Sequence, residues 1–457
     1  MDMSETIGPR DPDAVADAFI ASLRPAASSS VTTLLVGVSG GSDSVGLMIA
    51  LKSAIGRLKR DDIRLVAATV DHRLRAESAD EAKAVSEICR QMQIEHETLV
   101  WNDAASGASV SDRARNARYQ LLQDLASRIK AQAIIVAHTF NDQAETVAMR
   151  QMRAREGEGL AGMAPAVLVG GRHWLLRPFL SVSRQDIRDG LIARGQAWID
   201  DPTNDDCHYE RVRMRQRLDE AARTKLVAVA RRQAKERQDV AERAARLIEQ
   251  AVTVHGAVLA EVDLSVLGTA DAGVGSLVLR SLVAVCGGRS FAAGRDVRER
   301  LMDVAMSAGD GRMTAGRCVI TKKRDRLFIV RENRNLPVLT LDAGESGCWD
   351  ARFIITNRTA SPVRIAAGQI TPEEGDGCGL PASVAGQLRC ATPNLSIGGG
   401  MAEGQGCRDI VVEPYLAPYE KFLPLFDLAL ANAIATLFRR TSFAEAAMVE
   451  HTVEIAS

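Results

Sequence analysis

Thr33-Leu34-Leu35-Val36-Gly37-Val38 runs directly into Ser39-Gly40-Gly41-Ser42-Asp43-Ser44. The first six residues form an apolar, β-rich run. A short Gly/Ser loop follows, and then a helical pattern with Met48, Leu51, Ile55 and Leu58 at i, i+3, i+7 and i+10. A loop of this kind offers backbone N–H groups and a helix N-terminus to an anion. Asp43 stands where a Walker-type loop carries Lys, and neither GxxxxGK[ST] nor GxGxxG is present. A carboxylate beside a phosphate nest needs a cation between them, most simply Mg²⁺. The stretch therefore predicts a pyrophosphate–Mg²⁺ site and argues against a kinase or a dehydrogenase. The plain alternative is a Gly/Ser turn joining a strand to a helix.

Working outward, strand patterns fall at 33–38, 64–70, 97–101 and 133–137, with helices after the loop, at about 78–93 and at about 110–130. A short helix, Ala14 to Leu23, precedes them. This alternation predicts an α/β fold, a parallel sheet with helices on both faces. Ligands of such sheets sit beyond the carboxyl ends of the strands. Those ends carry Ser39–Ser44, Asp71-His72, Trp101-Asn102 and His138 to Glu145. Asp71 falls where a ribose or adenine would lie, and serves equally well as a helix N-cap. Arg115 and Arg118 are three apart and share a helix face that could hold phosphate. Asp142 and Glu145, one helical turn apart, suit a cationic amine or a metal, or simply the acid-loving first turn of a helix.

At 457 residues and 46% hydrophobic, the chain has material for two or three domains. A linker-like stretch, Asp200-Asp201-Pro202-Thr203-Asn204-Asp205-Asp206, closes the first half. Residues 209–305 read as mostly helical and end in a hairpin, 317–321 with 326–330. Residues 359–408, rich in Gly and Pro and poor in large apolar residues, read as long loops or partial disorder, and a helix is expected at 423–440. The expected division is 1–217, 218–334 and 335–457. No basic stretch precedes an apolar run at the N-terminus, and no apolar run reaches membrane-spanning length, so neither a signal peptide nor a membrane is expected. Eight Cys without a CxxC pair predict reduced thiols and argue against structural zinc or an iron–sulfur cluster. The net charge of −1 is uninformative about nucleic acid, but residues 207–246 hold twelve Lys/Arg against six Asp/Glu, a net of +6. Such a run is most often a solvated helix face.

Several segments taken together resemble one family. SGGxDS at 39–44 is followed by Val70-Asp71-His72-Arg73-Leu74-Arg75, by Ala114-Arg115-Asn116-Ala117-Arg118-Tyr119 and by Ala137-His138 through Asp142-Gln143 and Glu145-Thr146. Then come Gly159-Leu160-Ala161-Gly162-Met163, Arg177-Pro178-Phe179-Leu180, Trp198-Ile199-Asp200-Asp201-Pro202-Thr203-Asn204 and Arg211-Val212-Arg213. Over about 31–217 the chain is similar to the tRNA(Ile)-lysidine synthetases of the PP-loop ATP pyrophosphatase superfamily. The hairpin at 317–330 resembles the family's second domain, and beyond 335 the likeness is weak.

The resemblance implies a PP-loop ATP-binding catalytic domain, a helical tRNA-contacting domain and a mixed C-terminal domain that also binds tRNA. It implies a two-step ligase that uses ATP and Mg²⁺ to join free L-lysine to the wobble cytidine of isoleucine tRNA with a CAU anticodon. Ser39, Gly40, Gly41, Ser42, Asp43, Ser44 and Asp71 would bind ATP, and Asp43 would hold Mg²⁺. Asp142 and Glu145 would receive the lysine ammonium, while His138 and Arg118 would contact the activated cytidine or its phosphate. Arg115, Arg177, Arg211 and Arg213 would contact tRNA. A cytoplasmic protein is expected, and a homodimer is compatible with it. Thr139 and Asn141 depart from the second His and first Asp often found there, and Arg155-Glu156-Gly157-Glu158-Gly159 is more acidic than usual.

The same residues bear on three rival readings. A tRNA thiolase would need a CxxC or two catalytic Cys in this half, which holds only Cys89 and Cys207. Amide-forming relatives share SGGxDS but not the later segments. Intact Asp43, Asp142 and Glu145 argue against a catalytically dead tRNA-binding paralogue.

Overall fold

The computed structural model describes residues 8–24, 31–73, 78–102, 110–153, 158–200, 208, 210–368, 379–397, 400–401 and 408–446. Leu74, Arg75, Cys207, the 155–157 stretch and most of the 200–206 linker lie outside them. The chain forms two compact units. One comprises Met1–Arg237 with Pro424–Phe426 and Glu445–Ser457; the other comprises Gln238–Leu423 with Asp427–Ala444.

The first unit is the expected α/β layer. Strands β1 (Thr32–Gly37), β2 (Ile63–Asp71), β3 (Glu95–Val100) and β4 (Ala133–Ile135) are followed by β5 (Ala166–Val169) and β6 (His173–Leu176). These six lie in the order β5-β6-β4-β1-β2-β3. All neighbouring pairs are parallel except β5 with β6, an antiparallel hairpin that the sequence reading did not anticipate. Leu34, Leu35 and Val36 are fully buried, as a strand covered on both faces requires. The chain builds β1, β2 and β3 to one side of β1 and then returns to place β4 on the other. The carboxyl ends of β1 and β4 therefore form a topological switch point, where open α/β sheets leave a crevice.

Seven helices accompany these strands. They are α1 (Pro12–Ser22), α2 (Ser42–Arg57), α3 (Ser78–Gln91), α4 (Val110–Arg128) and α5 (Phe140–Arg153), and α6 (Arg184–Ala193) and α7 (Glu210–Arg217) join them later in the chain. The apolar stripe expected on α2 is wider than predicted: Val45 to Leu51 are all buried, whereas Leu58, just past the helix end, is exposed. Gly46 explains how α2 approaches α6 so closely. A Cβ there would lie 2.3 Å from Ile187 Cγ2.

The second unit contains a five-stranded antiparallel sheet. Its strands β7 (Val252–His255), β8 (Leu259–Asp263), β9 (Gly311–Ala315), β10 (Cys318–Lys323) and β11 (Arg326–Arg331) run in the order β7-β8-β11-β10-β9. The expected hairpin is β10–β11. Residues 209–305 are mostly helical, as expected, and the β7–β8 hairpin is an interruption that the sequence reading did not anticipate: Val252 and Val254 alternate, and Gly256 and Ala257 adopt the positive φ of a tight turn. Residues 359–408 also differ from expectation. A strand at Val363–Ala367, a helix at Ala382–Ala391 and a strand at Pro393–Ile397 occupy much of that stretch. Its apolar residues are few, but Val363, Ile365, Val384 and Ala391 are all placed inward and join the core around Trp349. The closing helix is Leu428–Leu437, shorter than expected.

Asp350 knits this second unit together. It is fully buried and receives Arg331 Nε at 3.0 Å and Arg352 Nε at 2.7 Å, with Arg317 as a third guanidinium partner. Asp350→Ala would strand buried guanidinium charge, with an expected loss of about 3–5 kcal/mol, read as a lower denaturant midpoint. Gly46→Ala should cost about 1–3 kcal/mol through overpacking. Pairing it with Ile187→Ala should recover part of the loss in a double-mutant cycle of thermal melts.

Candidate active site

The Gly/Ser loop is folded by its own small side chains. Ser44 Oγ accepts from Ser39 N at 3.1 Å and donates to Gly41 O at 3.0 Å. Gly40 has φ +90°, and a Cβ there would meet Ile199 Cδ1 at 2.8 Å, so only glycine fits. Ile199 N in turn donates to Gly40 O at 2.9 Å. The N-cap of α2 is Gly41, which has no side chain to satisfy the first-turn amides. That helix end is thereby left to an anionic ligand.

The loop opens on a cavity of about 1200 Å³. Single small-ligand sites run roughly 300–1,000 Å³, so there is room for a nucleotide and a second reactant. Ser39, Asp43, His72, Arg118, His138 and Asp142 are among the residues lining it. The switch point thus brings together the loop after β1, the end of β2 and the β4–α5 junction.

A network of alternating charge fills one wall. Arg184 Nε donates to Asp43 Oδ2 at 3.0 Å, its Nη2 reaches Asp142 Oδ1 at 3.3 Å, and its Nη1 lies 3.9 Å from Glu145 Oε1. Arg211 Nε and Arg215 Nε each hold one oxygen of Glu145 at 2.9 Å, and Arg211 Nη2 lies 3.4 Å from Asp142. Glu145 is almost fully buried, which it tolerates only because three guanidinium groups face it. Arg188 adds a contact to Ser42 Oγ at 3.3 Å.

Thr139 and Asn141, the two departures, both have local work. Thr139 N and Oγ1 donate to Asp142 Oδ2 at 2.9 and 3.0 Å, fixing that carboxylate at the start of α5. Asn141 Oδ1 accepts from Arg184 N at 2.9 Å and so tethers the first residue of α6. Gln143 is clamped by Met163, donating to Met163 O and accepting from Met163 N. This gives the Gly159–Met163 segment its structural role.

The charge states follow from these contacts. Burial pushes the Asp43 carboxyl above its ordinary value, and Asp142 adds to the push against the pull of Arg184. Burial would raise Asp142 too, but Arg211, Arg184 and His138 overcome it and hold the group below the usual carboxylate range. His138 is driven well below the ordinary imidazole value by burial and by Arg177. It is therefore neutral at neutral pH. Its Nδ1 accepts from Arg177 Nε at 3.2 Å, which puts the proton on Nε2. Burial lowers Arg177 to about 10, still protonated at neutral pH.

The structure does not gather all the expected residues. Ser39, Gly41, Ser42, Asp43, Ser44, Arg118, His138, Asp142 and Arg211 line the cavity, Gly40 serves the turn behind it, and Glu145 backs it through Arg211 and Arg215. Asp71 is buried in its own turn, accepting from Arg73 N at 2.9 Å and Ser78 Oγ at 2.7 Å, while the neighbouring His72 reaches the cavity wall. His72 Nδ1 is buried without a hydrogen-bond partner among the described residues, and its ring meets Trp101 edge-on at 5.8 Å. Arg177 lies inside, donating also to Ala164 O at 2.7 Å. Arg115 and Arg213 are exposed. Cys89 is buried against Met48, with its thiol raised to about 11 by burial, a poor nucleophile.

Arg184, Arg188 and Arg215 were missed by sequence reasoning. A signal existed for the first two: Ser183-Arg184-Gln185-Asp186 is a capping pattern, and Ser183 Oγ does accept from Asp186 N at 3.0 Å. That pattern puts Arg184 in the first turn, where the helix dipole disfavours a cation. A basic residue there implies an acidic partner elsewhere in the fold.

Among the described residues no group of three or more His, Cys, Asp or Glu forms a ready-made metal cage. Magnesium commonly takes one or two carboxylates and completes its shell with substrate phosphates and water. Asp43, in a polar crevice beside Asp142, fits that demand.

A PP-loop domain profile matches residues 16–222, which span the sheet, the loop and both arginine-bearing helices. The fold and the site therefore define a PP-loop nucleotide-binding domain. The tRNA(Ile)-lysidine synthase of Rhizobium meliloti (strain 1021) is 38% identical over 423 residues, covering 90% of this chain and 92% of that protein. The protein of the same name from Mesorhizobium japonicum is 36% identical over 419 residues, covering 88% and 91%. The chain belongs to the tRNA(Ile)-lysidine synthase family. Among solved structures, a U34-tRNA thiolase from Methanococcus maripaludis covers 49% of this chain and 78% of its own at a TM-score of 0.40 and 14% identity, too slight a likeness to argue from.

The Asp43 shift has a testable sign. Its folded-state value is raised above 3.8. The stability linked to its protonated form is present below that value and is lost as pH rises through the folded-state value. At pH 7 the ionised group costs the fold, so Asp43→Asn should melt at the same or a higher temperature than the wild type. A clearly lower melting temperature by calorimetry would contradict the burial argument.

Proposed function

We propose that this protein joins free L-lysine to carbon 2 of the wobble cytidine of CAU-anticodon isoleucine tRNA, using ATP. The single observation that carries the reading is the juxtaposition, in one cavity, of an anion-binding SGGSDS loop with a wall that holds Asp142 and a neutral His138, backed by Glu145 through Arg211 and Arg215. One end suits a leaving pyrophosphate and the other a cationic amine. Family membership supplies the tRNA.

In the first step the carbonyl oxygen on carbon 2 attacks the α-phosphorus of ATP, and pyrophosphate leaves. The Ser39–Ser44 loop and the start of α2 supply N–H groups to the departing phosphates. Asp43 would hold Mg²⁺, which supplies counter-charge to them when bound. His72, at the end of β2, is placed for the nucleoside. In the second step the lysine ε-ammonium gives one proton to water, the freed amine nitrogen bonds to carbon 2, and AMP departs with the former carbonyl oxygen. Asp142, held ionised by Arg211 and Arg184, receives the ammonium together with Glu145, which Arg211 and Arg215 orient. His138 acts through Nε2–H as an uncharged donor toward the activated cytidine, and being neutral it does not repel the incoming amine. Arg118 is placed for the phosphate of the adenylated base.

Arg177 contributes by fixing His138, while Arg115, Arg213 and the helical segment that follows supply positive surface for tRNA. The domain division at 217 and 334, with tRNA contacts in the later parts, belongs to the same proposal, as does a cytoplasmic setting. No helix among the described residues is long and apolar enough to cross a membrane. A homodimer is compatible with the reading and is not needed by it.

Pyrophosphate release with ATP, Mg²⁺, lysine and defined tRNA transcripts tests the proposal. Release should depend on the CAU anticodon and fall at least about a hundredfold in Asp43→Ala, the scale on which loss of a charge-stabilising group acts. Release that ignores the anticodon, or survives that substitution unchanged, would refute it. A requirement for a sulfur donor in place of lysine would favour a thiolase.

A further inference from the structure

Charge counting around the cavity shows a difficulty that the reaction must overcome. Three carboxylates, Asp43, Asp142 and Glu145, face three guanidinium groups, Arg184, Arg211 and Arg215. Arg188 is paired with Asp200 at 3.4 Å, and Arg118 and Glu81 line the same cavity, so five acidic groups stand against five guanidinium groups and the site is already neutralised. A lysine ammonium entering this arrangement finds no uncompensated negative charge, and burying an unpaired cation is expensive. One resident cation has to move first.

The contacts identify which. Glu145 is held by two short bonds from Arg211 and Arg215, and Arg184 makes only its longest contact there, 3.9 Å. Arg184 spreads its guanidinium over three carboxylates and makes a two-pronged bond to none of them. It sits in the first turn of α6, against the helix dipole. Asn141 fixes its backbone N–H, so the side chain can swing while the helix stays in place. It also touches both halves of the site: Asp43 belongs to the phosphate loop, Asp142 to the amine wall.

We propose that Arg184 is a displaceable counter-cation that couples the two half-sites, leaving Asp43 and Asp142 for the phosphates of ATP so that Asp142 becomes available to the lysine ammonium. The inference rests on the reaction proposed above and adds an order to it. The nucleotide brings net negative charge and a metal that claims Asp43. Arg184 exchanges its carboxylates for phosphate oxygens, and the wall acquires the negative charge that an amine needs. Arg184 is thus a positioning residue, and nucleotide and lysine bind with positive, reciprocal coupling.

Calorimetric titration of L-lysine into the full-length protein tests this, with and without Mg²⁺ and a non-hydrolysable ATP analogue. The wild type should bind lysine at least about tenfold more tightly with nucleotide present, within the usual range of coupling between sites. Arg184→Gln removes the charge and should bind lysine without nucleotide almost as well as with it, so the ratio falls toward one. Arg184→Lys keeps the charge on a shorter reach and should give a smaller ratio than wild type. If the Gln variant fails to fold, the Lys variant alone decides. A wild-type ratio of one, or a ratio unchanged in the folded variants, overturns the coupling while leaving the reaction standing. No lysine binding in either state, together with multiple-turnover pyrophosphate release that ignores lysine, overturns the reaction and the coupling with it.

Discussion

Seating three carboxylates together where a sheet ends is the constraint on which the first unit depends. Asp43, Asp142 and Glu145 cannot all be charged in a partly dry crevice unless cations face them. The sheet itself supplies none. Helices α6 and α7 deliver Arg184, Arg211 and Arg215, and the delivery is exacting. Gly46 must be without a side chain for α6 to lie close enough to α2. Asn141 and Ser183 must set the first turn of α6. Residues far from any substrate are thereby tied to the charge state of the site.

The second unit solves a similar problem differently. Asp350 and its arginines form a charge cluster with more cations than anions, and Arg352 stacks near Trp349 and Phe353 at 5.2 and 5.4 Å. The aromatic faces absorb part of the excess charge. The cluster fastens the β10–β11 hairpin to the strands that follow.

Much of the first unit was legible because its signals are local. A buried parallel strand is a run of apolar residues, and the loop after β1 needs glycine and serine for backbone reasons alone. The β5–β6 hairpin was not legible, since two four-residue strands give no period long enough to register. Residues 359–408 misled for the opposite reason. Their composition suggests loops, yet Val363 and Ile365 need only two inward positions to join a core already built around Trp349. The arginine partners of the site were hidden because ion pairs join residues up to 141 positions apart, and no pattern along the chain marks such a pairing. Asp71 shows the limit of position as evidence: it sits at the right strand end but spends its oxygens on its own turn, and His72 takes the wall.

The small hairpin at the sheet edge carries a consequence for chemistry. Strand β6 is registered against β5 and β4 so that Leu176 pairs with Ala166 and Ile135, and Arg177 follows immediately. Arg177 N is pinned to Pro165 O at 2.8 Å, and its Nε meets His138. A slip of one residue would turn that side chain to the opposite face of the sheet. His138 would then lose the donor that fixes which nitrogen bears its proton. The tautomer of an imidazole at the heart of the site is thus written in the pairing register of eight residues at the border of the sheet.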